Sequence, residues 1–349
     1  MVSTISSFFR GKQRIILIGL ALTTLLVFLF QFSDDQLKLS SISDSGCIIA
    51  AHSTSNTSTS TPRKYNYSNL NNLNSTTHGR QAKERILVLT LLQNDQDYLD
   101  NYFDLLDIST YPNKLISIGL LVSDSSDNTL QKLSEKVQIL QTRWRHKFHE
   151  IDIFQRDFEI DKRPDDITLV LDSKRAALAK AKNFLLAAAL KEYHSWVVWI
   201  DVKLHSYPAT IFSDLMLADA DVVVPNCLQY REDNEFWAFD RNNWQESDLS
   251  LKKQQDLDQN EILMEDYNEF AMGRHLLVDM PSHNGLNYKV PLDGVGTTFT
   301  MVKATVHREG AIFPPFIYQH HLDNEGFAKM VKSMGFTIYG IPGYSIYHF

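Results

Sequence analysis

The chain has 349 residues, 44% hydrophobic and 22% charged, the make-up of a folded protein with a substantial core rather than of a disordered or fibrous one. A formal charge of −8 and a pI near 5.8 argue against a duplex nucleic-acid binder, which needs a basic excess. Two cysteines, Cys47 and Cys227, exclude a disulfide scaffold and a four-thiolate zinc site. The count is compatible with one bridge between them, with free thiols, and with an inter-chain link through Cys47.

Ile15 to Phe32 (IILIGLALTTLLVFLFQF) is 18 residues without a charge, about 27 Å of helix and enough to cross a thin bilayer. Arg10, Lys12 and Arg14 precede it and Asp34 and Asp35 follow, which predicts a cytosolic tail (1–14), a transmembrane helix (15–32) and a lumenal remainder. A cleaved signal peptide usually has a shorter apolar region of about 7–15 residues and a small-residue cleavage site. Here Ser33, Asp34, Asp35 and Gln36 follow, so the run reads as an uncleaved anchor. Residues 33–84 hold Ser/Thr/Asn clusters such as STSNTSTSTP and few large apolar residues. Such a segment cannot offset the entropy of folding and is expected to be a flexible stem. The N-x-S/T sites at Asn56, Asn66 and Asn74 lie in it, on the side predicted to be lumenal.

From Arg85 onward, short apolar runs alternate with helical patterns. The runs Ile86–Leu92 and Leu115–Val122 are each followed by an amphipathic segment, 95–106 and 128–140. This alternation predicts an α/β domain over 85–349, a mostly parallel sheet with helices on both faces. Ligands of such sheets bind beyond the carboxyl ends of the strands, where Asn94 and Asp124 fall. An Asp there is also a common helix cap or turn former.

Ser173–Tyr193 (SKRAALAKAKNFLLAAALKEY) is the strongest helix signal, with Ala177, Leu178, Ala181, Leu185 and Ala188 as its apolar stripe. Arg175 falls in the first turn of that reading, where the helix dipole disfavours a cation unless an anion such as a diphosphate lies opposite. Trp196–Ile200 is apolar on both faces, as a central strand should be, and runs into Asp201. A further strand is expected over Asp221–Val224. Rossmann GxGxxG, P-loop, HExxH and G-x-S-x-G signatures are absent in the required contexts, so those chemistries have no support.

Several long blocks then occur in one order: LVSDSSDNTL (121–130), RAALAKAKNFLL (175–186), WIDVKL (199–204), DVVVPN (221–226), AFDRNNWQES (238–247), VPLDGVGTTFTMVKA (290–304), EGAIFPPF (309–316), NEGFAKM (324–330) and IPGYSIYH (341–348). Over Arg85–Phe349 the chain resembles the fungal mannan-polymerase mannosyltransferases, Golgi type II membrane proteins with GT-A catalytic domains. The resemblance implies a GT-A-like fold and retaining transfer of mannose from GDP-mannose to the α-1,6-mannan backbone of N-glycans. It further implies Mn²⁺ as cofactor, related subunits as partners in a hetero-oligomer, and a lumenal catalytic domain in the Golgi or early secretory membrane.

The resemblance also assigns roles. Asn94 and Asp124 would border the guanosine pocket, and Arg175 and Lys182 would face the diphosphate. Asp201 matches the first carboxylate of the family's D-x-D metal turn and His348 its C-terminal metal histidine. Asp240 matches a family acidic residue close to the transferred sugar, and Glu325, in the NEGFAKM block, is the second catalytic candidate. Simpler readings exist for two of them: His348 as an ordinary terminal residue, and Glu325 as a carboxylate at a helix N-terminus. One departure stands out, because the second carboxylate of the turn is Lys203. A charged lysine has no lone pair to donate and repels a cation. Three outcomes follow: a metal held by Asp201, His348 and diphosphate alone, a lysine that replaces part of the metal's charge, or a non-catalytic subunit that keeps the fold for assembly.

Overall fold

The computed structural model describes residues 67–159, 167–231, 237–255, 257–263 and 273–349. The expected cytosolic tail, the membrane anchor and the stem through residue 66 lie outside them. Among the described residues no helix is long and apolar enough to cross a membrane.

Strands β1 (Arg85–Leu92), β2 (Ile116–Val122), β3 (Glu150–Gln155) and β4 (His194–Ile200) are parallel and lie side by side in the order β4-β1-β2-β3. β2 and β4 are buried along their whole length, which is why ISIGLLV and HSWVVWI lack a polar face. Next come β5 (Leu204–Ser206), β6 (Val222–Gln229) and β7 (Trp237–Ala238). β8 (Trp244–Gln245) and β9 (His275–Leu276) form a separate two-stranded ribbon. β10 (Val290–Pro291), β11 (Phe299–Lys303) and β12 (Ile338–His348) complete a large sheet in the order β10-β12-β6-β11-β4-β1-β2-β3, with β5 against β12 and β7 against β6.

The sheet is mixed, which corrects the expectation of a mostly parallel one. The parallel reading holds for β4-β1-β2-β3 and for β6-β12, but β11 runs antiparallel to both β4 and β6. β5, β7 and β10 also pair antiparallel. The inverted β11 has a direct consequence for the site. Its leading residues, Thr297 and Thr298, arrive at the rim where β1, β2, β4, β6 and β12 end.

The core has two layers, one on each face. Ile86 and Val88 of β1 point into a cluster with Phe103, Leu106, Trp196, Phe212 and Phe299, under helices Leu99–Asp107, Thr129–Thr142 and Ile211–Met216. Leu87 and Leu89 point the other way, into Ala181, Leu185, Ala189, Trp199, Phe313 and Phe327, under helices Ile167–Ala189 and Asp323–Ser333. This alternation is the period-two signature of a covered strand. Gly119 lets the long helix approach, since a Cβ there would sit 2.9 Å from both Ala189 Cβ and Leu89 Cδ2.

Two local expectations change. The long helix begins at Ile167, so Arg175 lies past its first turns and the dipole argument for an opposing anion lapses. Ala188 is exposed, and Lys182 occupies the buried face instead. The globule also reaches back before Arg85. Ser75 Oγ donates to Ser195 O at 2.7 Å, Thr76 N–H donates to the Glu84 carboxylate at 3.0 Å, and Trp196 Nε1 donates to Glu84 Oε2 at 2.7 Å. Residues 75–84 are therefore part of the folded body, not of a flexible stem.

Candidate active site

The carboxyl ends of β1, β2 and β4 open onto a cleft of about 300 Å³. Asp95 and Gln93 line it from the β1 loop, Ser123 from β2, and Asp201 and Lys203 from β4. Lys182 borders it from the long helix, Asp323 and Asn324 from the last helix, and Thr297 from the approach to β11.

The structure brings the two expected metal residues together. Asp201 ends the buried β4, its N–H donating to Thr298 O at 2.9 Å, and its Oδ1 accepts the Lys203 N–H at 2.9 Å. Its Oδ2 lies 3.5 Å from His348 Nε2, at the end of β12. Burial raises the cost of the Asp201 charge, but the imidazole, the Lys203 N–H and the Lys203 ammonium outweigh it and hold the carboxyl below its usual range. The His348 ring is fixed on both sides, stacked on Phe239 at 3.6 Å and bonded through Nδ1 to Phe349 O at 2.9 Å. Its Nε2 is buried, makes no hydrogen bond and faces Asp201. One carboxylate and one imidazole suit a borderline cation such as Mn²⁺. Among the described residues no group of three such side chains is available, so a cation here would need further oxygens from a bound anion.

Lys203 points into the cleft. Its Nζ lies 3.1 Å from Asp95 Oδ1 and 5.6 Å from the Tyr98 ring. Burial disfavours the ammonium, yet Asp95 more than compensates and raises its pKa. Asp95 is almost fully buried, and burial pushes its carboxyl up despite the Gln93 N–H at 2.7 Å and Lys203. Sequence reasoning missed Asp95, although it stands three residues past a strand end.

The expected nucleotide residues are occupied by protein partners. Asn94 and Asp124 both adopt left-handed backbone (φ 56° and 50°), which Asn and Asp tolerate. Asn94 Oδ1 accepts from Ser126 N–H at 2.7 Å and Asp127 N–H at 3.2 Å. The Asp124 carboxylate accepts from Phe158 N–H at 3.0 Å and Glu159 N–H at 3.1 Å. The two side chains tie the β1, β2 and β3 loops together, and their neighbours Gln93, Asp95 and Ser123 are the ones that line the cleft. Lys182 Nζ bonds to both oxygens of Asp323, at 2.9 and 2.8 Å, and to Asn324 Oδ1. All three ammonium donors are thereby used.

Glu325 is buried behind the cleft in a cationic, aromatic cage. Its Oε2 is 3.4 Å from Arg175 Nη1, and its Oε1 accepts from Trp244 Nε1 at 3.0 Å and lies 3.7 Å from Arg274 Nη1. The Arg274 guanidinium stacks 3.7 Å above the Trp244 ring and donates to His321 Nε2 at 2.7 Å. Arginine can only donate, so His321 is neutral with its proton on Nδ1. Burial and Arg274 push its pKa down to about 3. Glu246 closes the cage through Lys329 Nζ at 2.7 Å and Arg274 Nε at 3.6 Å. Burial opposes the Glu246 charge, but Lys329, Ser250 and Arg274 bring its pKa down to about 2. Asp240 sits on the far side of Thr298, whose hydroxyl donates to its Oδ2 at 2.8 Å, and Asn242 N–H donates to its Oδ1 at 3.1 Å. Burial pushes the Asp240 carboxyl up.

A family model described as Anp1 matches residues 64–317, most of the described chain. The chain belongs to the Anp1 family. A mannan polymerase II complex anp1 subunit from Schizosaccharomyces pombe is 35% identical over 353 residues, covering 97% of this chain and 79% of that relative. The mannan polymerase II complex ANP1 subunit of Saccharomyces cerevisiae is 35% identical over 288 residues, covering 80% of this chain. The chain spans 58% of the length of that relative. Among solved structures, a mannosyltransferase from Pyrobaculum calidifontis in complex with GDP-Man and Mn²⁺ aligns at a TM-score of 0.44 and 13% identity, over 79% of this chain and 59% of that one. Within the matched range, Asp201 and Thr298 are joined by a backbone hydrogen bond, and Asp201, Lys203 and Thr297 line the cleft.

Proposed function

We propose that this Anp1-family chain is a GT-A-type, Golgi-resident mannosyltransferase subunit of a mannan polymerase, taking mannose from GDP-mannose and extending an α-1,6-mannan backbone with retention. The observation that carries this reading is the meeting of Asp201 and His348, from β4 and β12, at the mouth of a strand-end cleft. Family membership and the names of the relatives support the substrate class and the assembly with related subunits.

The charge of the cleft favours a cation. Asp95, Asp201 and Asp323 provide three carboxylates against the two ammonium groups of Lys182 and Lys203. At an effective dielectric near 20, unit like charges about 4 Å apart repel by roughly 4 kcal/mol, so a diphosphate needs a counter-charge to enter. Asp201 and His348 would hold Mn²⁺, which when bound would neutralise charge on the leaving GDP. The remaining steps fall to the protein. Asp201 is kept ionised by His348 and the Lys203 N–H, and Thr298 links it to Asp240. Glu325 and Asp240 are both fully engaged, so they serve to position the sugar-binding wall, and a retaining transfer on the donor's front face rests on orientation and charge stabilisation.

A second reading has an observation of its own. The Lys203 ammonium pairs with Asp95 at the position where the resemblance implies a second metal carboxylate, which suits a subunit that binds nucleotide weakly and serves assembly. Calorimetry on the full-length protein in detergent, with GDP and UDP and with and without Mn²⁺, tests the donor. GDP should bind tighter than UDP and Mn²⁺ should strengthen it; equal binding of the two nucleotides would overturn the proposal. Transfer to α-1,6-mannobiose, by the chain alone and with co-expressed family subunits, separates the catalytic reading from the assembly reading.

A further inference from the structure

Beside Asp201 and Lys203, outside the residues that line the cleft, lies a corner of aromatic rings, one of which, Phe239, also stacks on His348. Tyr230, at the end of β6, is 43% exposed, Trp237 of β7 55%, Phe239 37% and Phe349 44%. The exposed large aliphatic side chains of the described residues, such as Ile108, Ile139, Leu217 and Leu286, lie in other segments of the chain. Three of the rings are held by ring contacts, Phe239 against His348 among them, and Trp237 lies under the Arg231 guanidinium. Tyr230 stacks on His205 at 3.8 Å and 9°, and Phe349 meets His205 edge-on at 4.8 Å and lies 5.6 Å from Tyr98. The backbone joins this corner directly to the cleft, because Phe349 N–H donates to Lys203 O and Tyr230 N–H to His348 O.

We propose that this corner is the acceptor platform, a binding surface for a neutral chain of pyranose sugars. This rests on the donor reading above for its direction, since the acceptor must approach the sugar held near Asp201 and His348. The chemistry is specific to that ligand class. One face of a pyranose presents C–H groups with slight positive charge, and an aromatic face presents negative quadrupole charge, so the two stack flat. A protein-binding surface would mix aliphatic with aromatic side chains, and a phosphate-bearing ligand would need several cations; this corner is mainly aromatic, with His205 between the rings and the Arg231 guanidinium 5.2 Å from the Trp237 ring. Tyr230 and Trp237 act as positioning residues and take no part in the bond change.

The test uses the full-length protein in detergent, α-1,6-linked mannotetraose as probe, and ligand-observed NMR for affinity, with GDP binding and thermal unfolding measured in parallel. Tyr230→Ala and Trp237→Ala should each weaken mannotetraose binding about three- to tenfold, the share of one stacked ring. Tyr230→Phe should bind as the wild type does, and GDP affinity and melting temperature should be unchanged in all three variants. Wild-type affinity in both alanine variants overturns the inference. So does loss of co-purifying family subunits with sugar binding intact, which would make the corner a protein interface. If GDP fails to bind while ring-dependent sugar binding persists, the donor reading falls and the platform stands.

Discussion

Lys203 carries the sharpest consequence of a single residue. The resemblance implies a turn with two carboxylates for a metal, and at the second position this chain carries Lys203, whose ammonium lies 3.1 Å from Asp95 Oδ1. Lys203→Asp should therefore strengthen Mn²⁺ binding in the absence of nucleotide, by roughly tenfold or more, while Asp201→Ala should abolish the response. Isothermal titration with and without GDP reads both, and an unchanged affinity in Lys203→Asp would show that the lysine does not tune the site. Behind the cleft, Glu246 and His321 make the cage acid-sensitive. The Glu246 pKa falls from 4.5 to about 2 on folding, so its contribution is complete above pH 4.5 and is lost as pH falls toward 2. Its size is on the order of 3 kcal/mol. The depressed His321 acts in the same direction, because the unfolded imidazole takes up a proton below about pH 6.5 and the buried one resists until about pH 3. Melting temperature should fall with pH across this range, and Glu246→Gln should be less stable at neutral pH and flatten the acid limb below pH 4.5.

At the scale of elements, the contact between β2 and the long helix is set by an absence of side chain. Gly119→Ala would press a methyl against Ala189 and Leu89, and should lower stability by about 1–3 kcal/mol through overpacking. Denaturant unfolding would register the change. Leu185→Ala on the facing helix creates a void in the same layer and should cost about 2–5 kcal/mol. The strands of this layer were legible in the sequence because they are buried on both faces, and so read as mainly apolar runs at 86–92, 115–122 and 196–200, broken only by Thr90, Ser117 and Gly119. Asp201 could be placed at a strand end for the same reason, and His348 came from the family block alone. The pairs Lys203–Asp95, Lys182–Asp323 and Arg175–Glu325 were not legible. Each joins segments far apart in the chain, and local pattern does not say which carboxylate a cation meets. Lys182 did leave a trace: it interrupts the stripe of Leu178, Leu185 and Ala189 at a position that must face inward. The inverted strand β11 was hidden too, since a short central strand has the same apolar run in either direction.

For the whole molecule, the segment from Ser75 to Glu84 is fastened to the folded body through Ser195, Thr76 and Trp196. A chain starting at residue 75 should keep its melting temperature and its GDP binding. One starting at residue 85 loses the acceptor of the Trp196 indole N–H inside the core, which should cost about 1–3 kcal/mol and show as faster limited proteolysis. Equal stability of the two truncated forms would remove Glu84 from this role. The strand order has a further outcome during synthesis. β12 is the last of the described strands to leave the ribosome, yet it lies in the interior of the sheet, between β10 and β6. Until it arrives, β6 presents VVVPNCL with one edge unpaired, a ready template for pairing with another chain. A nascent chain paused or cut before Ile338 would therefore lack His348 and also carry an adhesive edge. Folding of this protein should depend on chaperones that shield that edge until the final segment inserts.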